Sequence, residues 1–338
     1  MVVIRASAPN KLHLCGEHSV VYGGFALVAP IEAGGRRNTV LLEPHDGPFR
    51  FEGDQGAAWV ENRKPLGDAA YFPMVQTALF VCDKMGQGVP SLKAVSTWSN
   101  SPKGTGNSAS MPVALALALY RYFGKSPSRR DLYDAGFVAD NAYHGGKSSG
   151  GDVTAVLSNK VQKFRRVFEG GQVRPESSEL DLHLPSGTAL VLVSSNRGGE
   201  TGSTAVLIEQ FAKAHGVSNK PADMTDGERR AVCAPFDAVV EKIQAECHAN
   251  GDAGALGRAF DENHALLKSV STAEIDEAIS TAKTAGALGG KLIGAGGPGG
   301  SLIVLAQAAN VSAIAAALKE KNFQSWPVGL ANRGPALD

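Results

Sequence analysis

Several features are missing from this chain of 338 residues, and each absence narrows what it can be. The four cysteines (Cys15, Cys82, Cys233, Cys247) show no C-x-x-C spacing and follow no secretion signal. Reduced, mostly buried thiols in a cytoplasmic protein are the expectation. No apolar run is long enough to span a bilayer, and the strand-like Val2-Val-Ile-Arg-Ala6 begins at once, without a signal peptide. No long basic block appears, and 33 basic residues balance 33 acidic ones to a formal net charge of zero. This argues against nucleic acid or an anionic membrane as the main partner. Internal repeats and low-complexity tracts are also lacking. What remains is 43% hydrophobic and 20% charged, the make-up of a soluble globular protein with room for two domains or one large one. Glycine is the one residue in excess, 40 of 338, against a usual share of roughly 7%. Its clustering points to loops that approach a ligand closely.

The most informative cluster is Pro102-Lys-Gly-Thr-Gly-Asn-Ser-Ala-Ser110, between a strand-like Leu92–Trp98 and the helical run Val113–Tyr120. A glycine loop at a helix start presents backbone N–H groups and the positive end of the dipole, a site for phosphate. An ordinary tight turn, with Asn107 or Ser108 as N-cap, accounts for this segment equally well. Three better-known phosphate motifs fail on context. Gly104-x-Gly106-x-x-Ala109 fits a relaxed dinucleotide fingerprint, but Phe123–Pro127 ends the helix and Ser128-x-x-Asp131 caps a new one where a strand is required. Gly294-x-Gly296-x-x-Gly299 is followed by the strand-like Ser301–Leu305 instead of a helix. Gly146-Lys147-Ser148 resembles the end of a P-loop, yet Asn141 stands where its first glycine belongs.

Along the chain, strands are expected at 2–7, 11–15, 25–29, 38–43, 92–98, 153–157, 162–167, 188–195 and 301–306. Helices are expected near 69–85, 108–123, 129–143, 204–215, 226–248, 252–268, 272–285 and 311–321. Thr225-x-x-Glu228 and Ser271-x-x-Glu274 read as capping boxes. Glu169–Pro175 is the most plausible domain junction. Strands and helices mix without strict alternation, so a two-lobed α+β fold is expected.

Two more segments carry chemistry. Ala8-Pro-Asn-Lys-Leu-His-Leu-Cys-Gly-Glu-His-Ser-Val-Val-Tyr-Gly-Gly24 gathers Lys11, Glu17 and His18 around a strand end. Taken alone, a solvated hairpin explains it better than a polar site. Lys291-Leu-Ile-Gly-Ala-Gly-Gly-Pro-Gly-Gly-Ser301 is a glycine-dominated loop before an apolar strand, either a flexible turn or a backbone that must come close to something.

In this order the three segments resemble the motifs of the galactokinase, homoserine kinase, mevalonate kinase and phosphomevalonate kinase (GHMP) superfamily. His144-Gly-Gly-Lys-Ser-Ser-Gly-Gly-Asp152 is similar to the family's H-G-x-P-S-G-x-D, and Asp261–Leu267 to its N-H-x-L-L helix. The first segment looks most like that of the mevalonate kinases. Departures are Asn10 for a glycine, Thr105 and Asn107 within the G-L-G-S-S-A loop, one extra residue before Asp152, and Pro298 for a glycine. Pro112, just beyond the expected first turn, should cost a hydrogen bond unless the helix begins late.

The resemblance implies a two-lobed fold with the active site between the lobes. Residues 1–170 would form the nucleotide- and phosphate-binding lobe, and 171–338 the lobe that completes the substrate site. It implies ATP and Mg²⁺, a small-molecule acceptor such as mevalonate, and it admits a homodimer. Lys103, Gly104, Thr105, Gly106, Asn107, Ser108, Ala109 and Ser110 would wrap the nucleotide phosphates, with Ser108 and Asp140 at the metal. Asp152 would take or orient the acceptor's hydroxyl proton, and Lys11 would stabilise the developing charge. His18, Glu17, Ser149, Gly150, Thr204 and Gly296 would line the acceptor pocket, Glu17 by orienting Lys11 or His18. Ser203 is equally a helix cap. His264 would stabilise packing near the third loop, and the 294–300 glycines would let that loop close on the phosphate loop. Two other readings stay open: another kinase of the superfamily, such as a phosphomevalonate kinase, or a degenerate homologue that senses a ligand without catalysis.

Overall fold

A computed structural model describes residues 3–54, 56–97, 102–146, 148–170, 172–197 and 202–338. Among them the first strands are β1 (Ile4–Ala8), β2 (Asn10–Cys15), β3 (Ala26–Ala33), β4 (Asn38–Pro44), β5 (Arg50–Gly53), β6 (Gly56–Glu61) and β7 (Lys64–Gly67). Helix α1 (Phe72–Met85), β8 (Leu92–Ser96), α2 (Asn107–Tyr122), α3 (Arg129–Tyr143) and α4 (Gly151–Val156) follow. Next come β9 (Val161–Glu169), β10 (Gln172–Leu180), β11 (Thr188–Ser194), α5 (Thr204–Ala214), α6 (Asp226–Glu246), α7 (Ala253–Leu266) and α8 (Ala273–Thr284). The chain closes with β12 (Ala287–Ile293), β13 (Ser301–Gln307), α9 (Val311–Glu320), β14 (Gln324–Leu330) and β15 (Ala336–Leu337).

The strands form two sheets, one in each lobe. The first runs β15-β1-β4-β8-β5-β6-β7 and the second β10-β9-β3-β14-β11-β13-β12, with β2 paired to β3. The first sheet packs beneath α1 and α2, and α3 lies on those two helices. Helix α2 is buried at every position from Ala109 to Tyr120, which is why its sequence is apolar all round instead of striped. In the second sheet successive residues serve opposite faces. Val191 and Val193 pack toward α8 and α9, while Leu190 and Leu192 pack toward α6 and α7. Cover on both faces explains the unbroken apolar run of β11.

Three expectations are corrected here, and the alternative left open at Pro112 is decided. The stretch 153–157 is not a strand but part of α4: a short apolar run is ambiguous by pattern. Gly150, at φ 81, starts a helical turn, and Thr154 Oγ1 donates back to its carbonyl at 2.8 Å. The junction sought at 169–175, and with it the boundary at residue 170, falls within a hairpin, since Glu169 opposes Gln172 along the β9–β10 ladder. The second sheet draws β2, β3 and β9 from one side of that boundary and five further strands from the other, while β15 returns to pair with β1. The second capping box is not formed: Thr272 caps α8 by a single bond from Ile275 N, and Ser271 Oγ instead donates to Asp276 Oδ1 at 2.8 Å. The boxes at Ser128 and Thr225 are formed as expected. Helix α2 does not begin late, so Pro112 lies inside it and cannot donate to the carbonyl of Ser108. That costs about 3 kcal/mol. Burial of Val113, Leu115, Leu117 and Leu119, at about 1.5–3 kcal/mol each, outweighs it.

Candidate active site

Strand β2 is buried along its whole length, so the charge on Lys11 is carried into the interior. Its ammonium lies 2.9 Å from Asp152 Oδ1, in the first turn of α4, and donates to the carbonyl of Gly104 at 3.3 Å. The same strand fixes the phosphate loop. Lys11 N donates to Thr105 O at 2.8 Å, and Asn10 Nδ2 donates to that oxygen at 3.2 Å. Gly106 stands at φ 72, and a Cβ there would meet Lys11 Cβ at 3.0 Å, so only glycine lets the loop lie against the lysine. Gly106 is also the N-cap of α2, with no side-chain cap, which removes the capping reading of Asn107 and Ser108. Asn107 Oδ1 instead accepts from Asn38 Nδ2 at 2.6 Å.

Around this pair lies a cavity of about 290 Å³. Lys103, Gly104, Gly106, Asn107 and Ser108 line one wall, with Asp140, His144, Ser148 and Ser149 beside them. The far wall is His18, Glu17, Thr204, Ile208 and the third loop around Gly296. That loop touches the phosphate loop by backbone: a Cβ on Gly294 would come 3.0 Å from Gly104 Cα. Lys103 Nζ adds a second tie, donating to Gly202 O at 2.7 Å, and Gly202 N donates to Pro298 O at 2.9 Å.

Asp140 is buried and heavily bonded. It accepts from Ser108 Oγ at 2.6 Å and from Ser148 Oγ, and lies 3.4 Å from His144 Nε2. Burial alone would raise its pKa, but the bonds from His144, Ser108 and Ser148 prevail and lower it. Burial likewise works against the charged form of His144, and Asp140 with Asp152 outweighs it, raising that pKa. Asp140, His144 and Asp152 bring one ligand atom each within 4.8 Å of one another. The oxygens of Asp140, Ser108 and Ser148 are hard donors of the kind Mg²⁺ prefers, so the donor set fits that ion.

His18 stacks on Phe211 with ring centroids 4.8 Å apart, and its Nε2 lies 3.1 Å from Ala295 O. Burial lowers its pKa to about 4, so the ring is neutral at neutral pH. Nε2 then carries the proton that Ala295 accepts, and Nδ1 is an acceptor.

Glu17 corrects an expectation, since it orients neither Lys11 nor His18. Its carboxylate binds Lys291 Nζ of β12 and accepts from Asn263 Nδ2 of α7 at 3.2 Å. Lys291 Nζ also donates to His13 O at 3.3 Å, and the Glu17 and Lys291 side chains are 1% and 0% exposed. Four others of the expected residues do not line the cavity. Thr105 Oγ1 donates to Pro102 O at 2.6 Å, and Ala109 is buried in the core. Ser110 Oγ donates to Ala8 O at 3.1 Å, and Gly150 is pressed against Tyr133, whose Oη would lie 2.3 Å from a Cβ. Ser203 is the N-cap of α5 without a side-chain cap bond. His264 holds the strand before the third loop, accepting from Leu292 N at 3.3 Å while its Nε2 lies 3.0 Å from Asp276 Oδ1.

His144 and Ser148 were not singled out from the sequence, although both lie in the segment that ends at Asp152. His144, four residues after Asp140, shares its helix face. Lys291 left no signal beyond a lysine inside an apolar run. Lys147 lies outside the described residues.

Comparison with known proteins agrees with this geometry. The pattern described as GHMP kinases N terminal domain matches residues 74–160, and GHMP kinases C terminal matches 237–324. A mevalonate kinase of Aeropyrum pernix is 28% identical over 99% of this chain and 98% of its own. A galactokinase of Streptomyces coelicolor is 26% identical over 93% and 87%. The crystal structure of a Methanococcus jannaschii mevalonate kinase shares the fold, with a TM-score of 0.74 and 18% identity over 97% of this chain and 98% of that one.

Proposed function

We propose, on the premise that the chain belongs to the GHMP kinase superfamily, that it transfers the γ-phosphoryl group of ATP to the C5 hydroxyl of mevalonate. The observation that carries this reading is the Lys11–Asp152 pair, 2.9 Å apart, directly beneath the glycine loop at the start of α2. A pair that can handle a hydroxyl proton next to a phosphate cradle is what phosphoryl transfer to an alcohol requires. The acceptor oxygen bonds to the γ-phosphorus as the bond to the β–γ bridging oxygen breaks, and ADP leaves. Asp152 accepts or orients the hydroxyl proton, and Lys11 stabilises charge on the oxygen as it attacks. Backbone N–H groups and the dipole at the start of α2 hold the phosphates. Asp140, Ser108 and Ser148 would hold Mg²⁺, which supplies charge neutralisation across the β- and γ-phosphates.

Two features favour mevalonate over phosphomevalonate as the acceptor, and the likeness to mevalonate kinases favours it over sugars. Neutral His18 offers an acceptor nitrogen, suited to a hydroxyl more than to a second phosphate. Among the described residues the cavity lining holds only two Lys or Arg side chains, Lys11 and Lys103, and Lys11 is already paired. An acceptor carrying its own phosphate would require more. Turnover with Mg-ATP should therefore be fastest on mevalonate, against galactose, homoserine and phosphomevalonate. A higher kcat/KM for any of the other three would replace this substrate assignment, and no turnover of any acceptor with intact nucleotide binding would replace the enzyme by a sensor.

A further inference from the structure

A second cavity, of about 530 Å³, lies between β9 and α6, away from the phosphate loop. One wall is a single face of α6, where Asp226, the adjacent Arg229 and Arg230, Cys233, Asp237 and Glu241 follow the helical repeat of three or four residues. The other wall is the Arg165–Phe168 stretch of β9, and Tyr22, Gly23 and Phe25 close it.

Its charges are unequally satisfied. Arg165 Nη2 lies 2.9 Å from Glu176 Oε1. Arg229 is taken up by Asp226 and by the carbonyls of Pro221 and Met224. Asp237 Oδ1 accepts from Phe25 N at 2.7 Å. Arg166 and Arg230 have no carboxylate within 4.0 Å among the described residues, although both line this cavity. Arg166 is the more confined. Its Nη1 donates to the carbonyl of Val21 at a long 3.4 Å, and its guanidinium carbon lies 5.5 Å from the Phe168 ring centroid. Arg229 lies 4.6 Å from the same ring, so positive charge converges there. Burial already works against the charge on Arg166 and lowers its pKa. Asp237 and Glu241 stand two and three helical turns beyond Arg230, toward Phe25, whose ring also carries Lys163 at 4.6 Å and Arg165 at 4.9 Å, so both signs meet at that end and Arg166 and Arg230 mark the cationic one.

We propose that the cationic end is a binding site for a small polyanion carrying phosphate or carboxylate groups, with Arg166 and Arg230 as its charged contacts. A guanidinium that is partly buried, stacked on an aromatic ring and without an acidic partner offers a planar fork matched to an oxyanion. The carbonyl that Arg166 now holds belongs to Val21, which also lines the first cavity. Only the short turn Ser19–Tyr22 separates the two sites, and Phe211 packs on both His18 and Tyr22.

The test is calorimetric titration of the full chain with inorganic pyrophosphate and, separately, with citrate. Pyrophosphate also suits the phosphate loop, so variants assign the site. Arg166→Gln should remove one binding event per chain or weaken it about tenfold, the worth of one charge-assisted hydrogen bond. Arg230 is exposed on α6, so Arg230→Gln keeps the fold and should weaken the same event several-fold. The Arg230 variant keeps the test decisive should Arg166→Gln fold poorly. Isotherms for both probes that are the same in wild type and variants would overturn the proposal, as would the absence of binding by either probe.

Discussion

Replacing Lys291 with methionine removes one charge from a pair that has no access to water, and the consequence can be worked out from its partners. Glu17 would keep the bond from Asn263 Nδ2 at 3.2 Å and lose its only cationic partner among the described residues. Breaking a buried pair from one side costs about 3–5 kcal/mol, because a charge remains buried without compensation. At roughly 1.4 °C per kcal/mol for a chain of 338 residues, the melting temperature should fall by about 4–7 °C. Glu17→Gln should cost a similar amount, leaving Lys291 with the carbonyl of His13. The double variant Glu17→Gln/Lys291→Met buries no charge at all, so it should lose less than the sum of the single losses by about 2 kcal/mol or more. Urea unfolding of the four proteins, followed by circular dichroism and by fluorescence, gives the cycle, with coincident transitions as the check on two-state behaviour. A cost below about 1 kcal/mol for Lys291→Met, or a double variant that loses the full sum, would refute the idea that this pair clamps β12 and α7 to the turn before His18.

Three further outcomes follow from the site. Asp152→Asn should lower kcat by roughly 10²–10⁴-fold with ATP binding within a few-fold, and adding Lys11→Met should cost less than the product of the single effects; near-normal kcat in steady-state assays would remove Asp152 from the chemistry. Ser108→Ala breaks the 2.6 Å bond to Asp140 and should raise the Mg²⁺ concentration needed for half-maximal rate while the fold stays intact. An unchanged Mg²⁺ titration together with a lowered melting temperature would make that hydroxyl structural. His18 has its pKa lowered by burial from 6.5 to about 4, so its contribution to stability is complete above pH 6.5 and is lost as pH falls toward 4, by about 3 kcal/mol. His18→Asn, which tolerates the local φ of 59, should flatten the unfolding free energy across that window, and a slope equal to wild type would contradict the assignment.

Legibility in the sequence tracked how local each cause was. Helix α3 and its cap at Ser128 could be read in full because the capping box and the apolar spacing lie within the helix itself. The glycine loop and the start of α2 could be placed for the same reason: glycines, hydroxyls and a long apolar helix stand together. Strand β10 was missed because nearly all of it is exposed, so Gln172–Leu180 carries no apolar alternation, and its order comes from pairing with β9. Strand β12 was missed because Gly289 and Gly290 break its pattern, although both pair with β13, opposite Leu305 and Val304, after a register shift between Ala287 and Gly289. That second omission hid Lys291. Its partner Glu17 is 274 residues away in the chain, and no spacing within a segment encodes such a contact.

The same non-local contacts decide how the site works. Lys11 comes from the second sheet, Asp152 from α4, the phosphate loop from the start of α2, and the third loop from the β12–β13 connection. Backbone joins them: Lys11 N to Thr105 O, Gly104 against Gly294, Gly202 N to Pro298 O. Backbone contacts of this kind cannot be relaxed by rotating a side chain, so the cradle is held against the strand that carries Lys11. Donors fixed ahead of reaction need no reorganisation when charge develops on the transferred phosphoryl group. In the proposed reaction Gly104 and Gly294 would therefore matter as much as the charged residues, because a side chain on Gly294 would push apart the two loops that meet there.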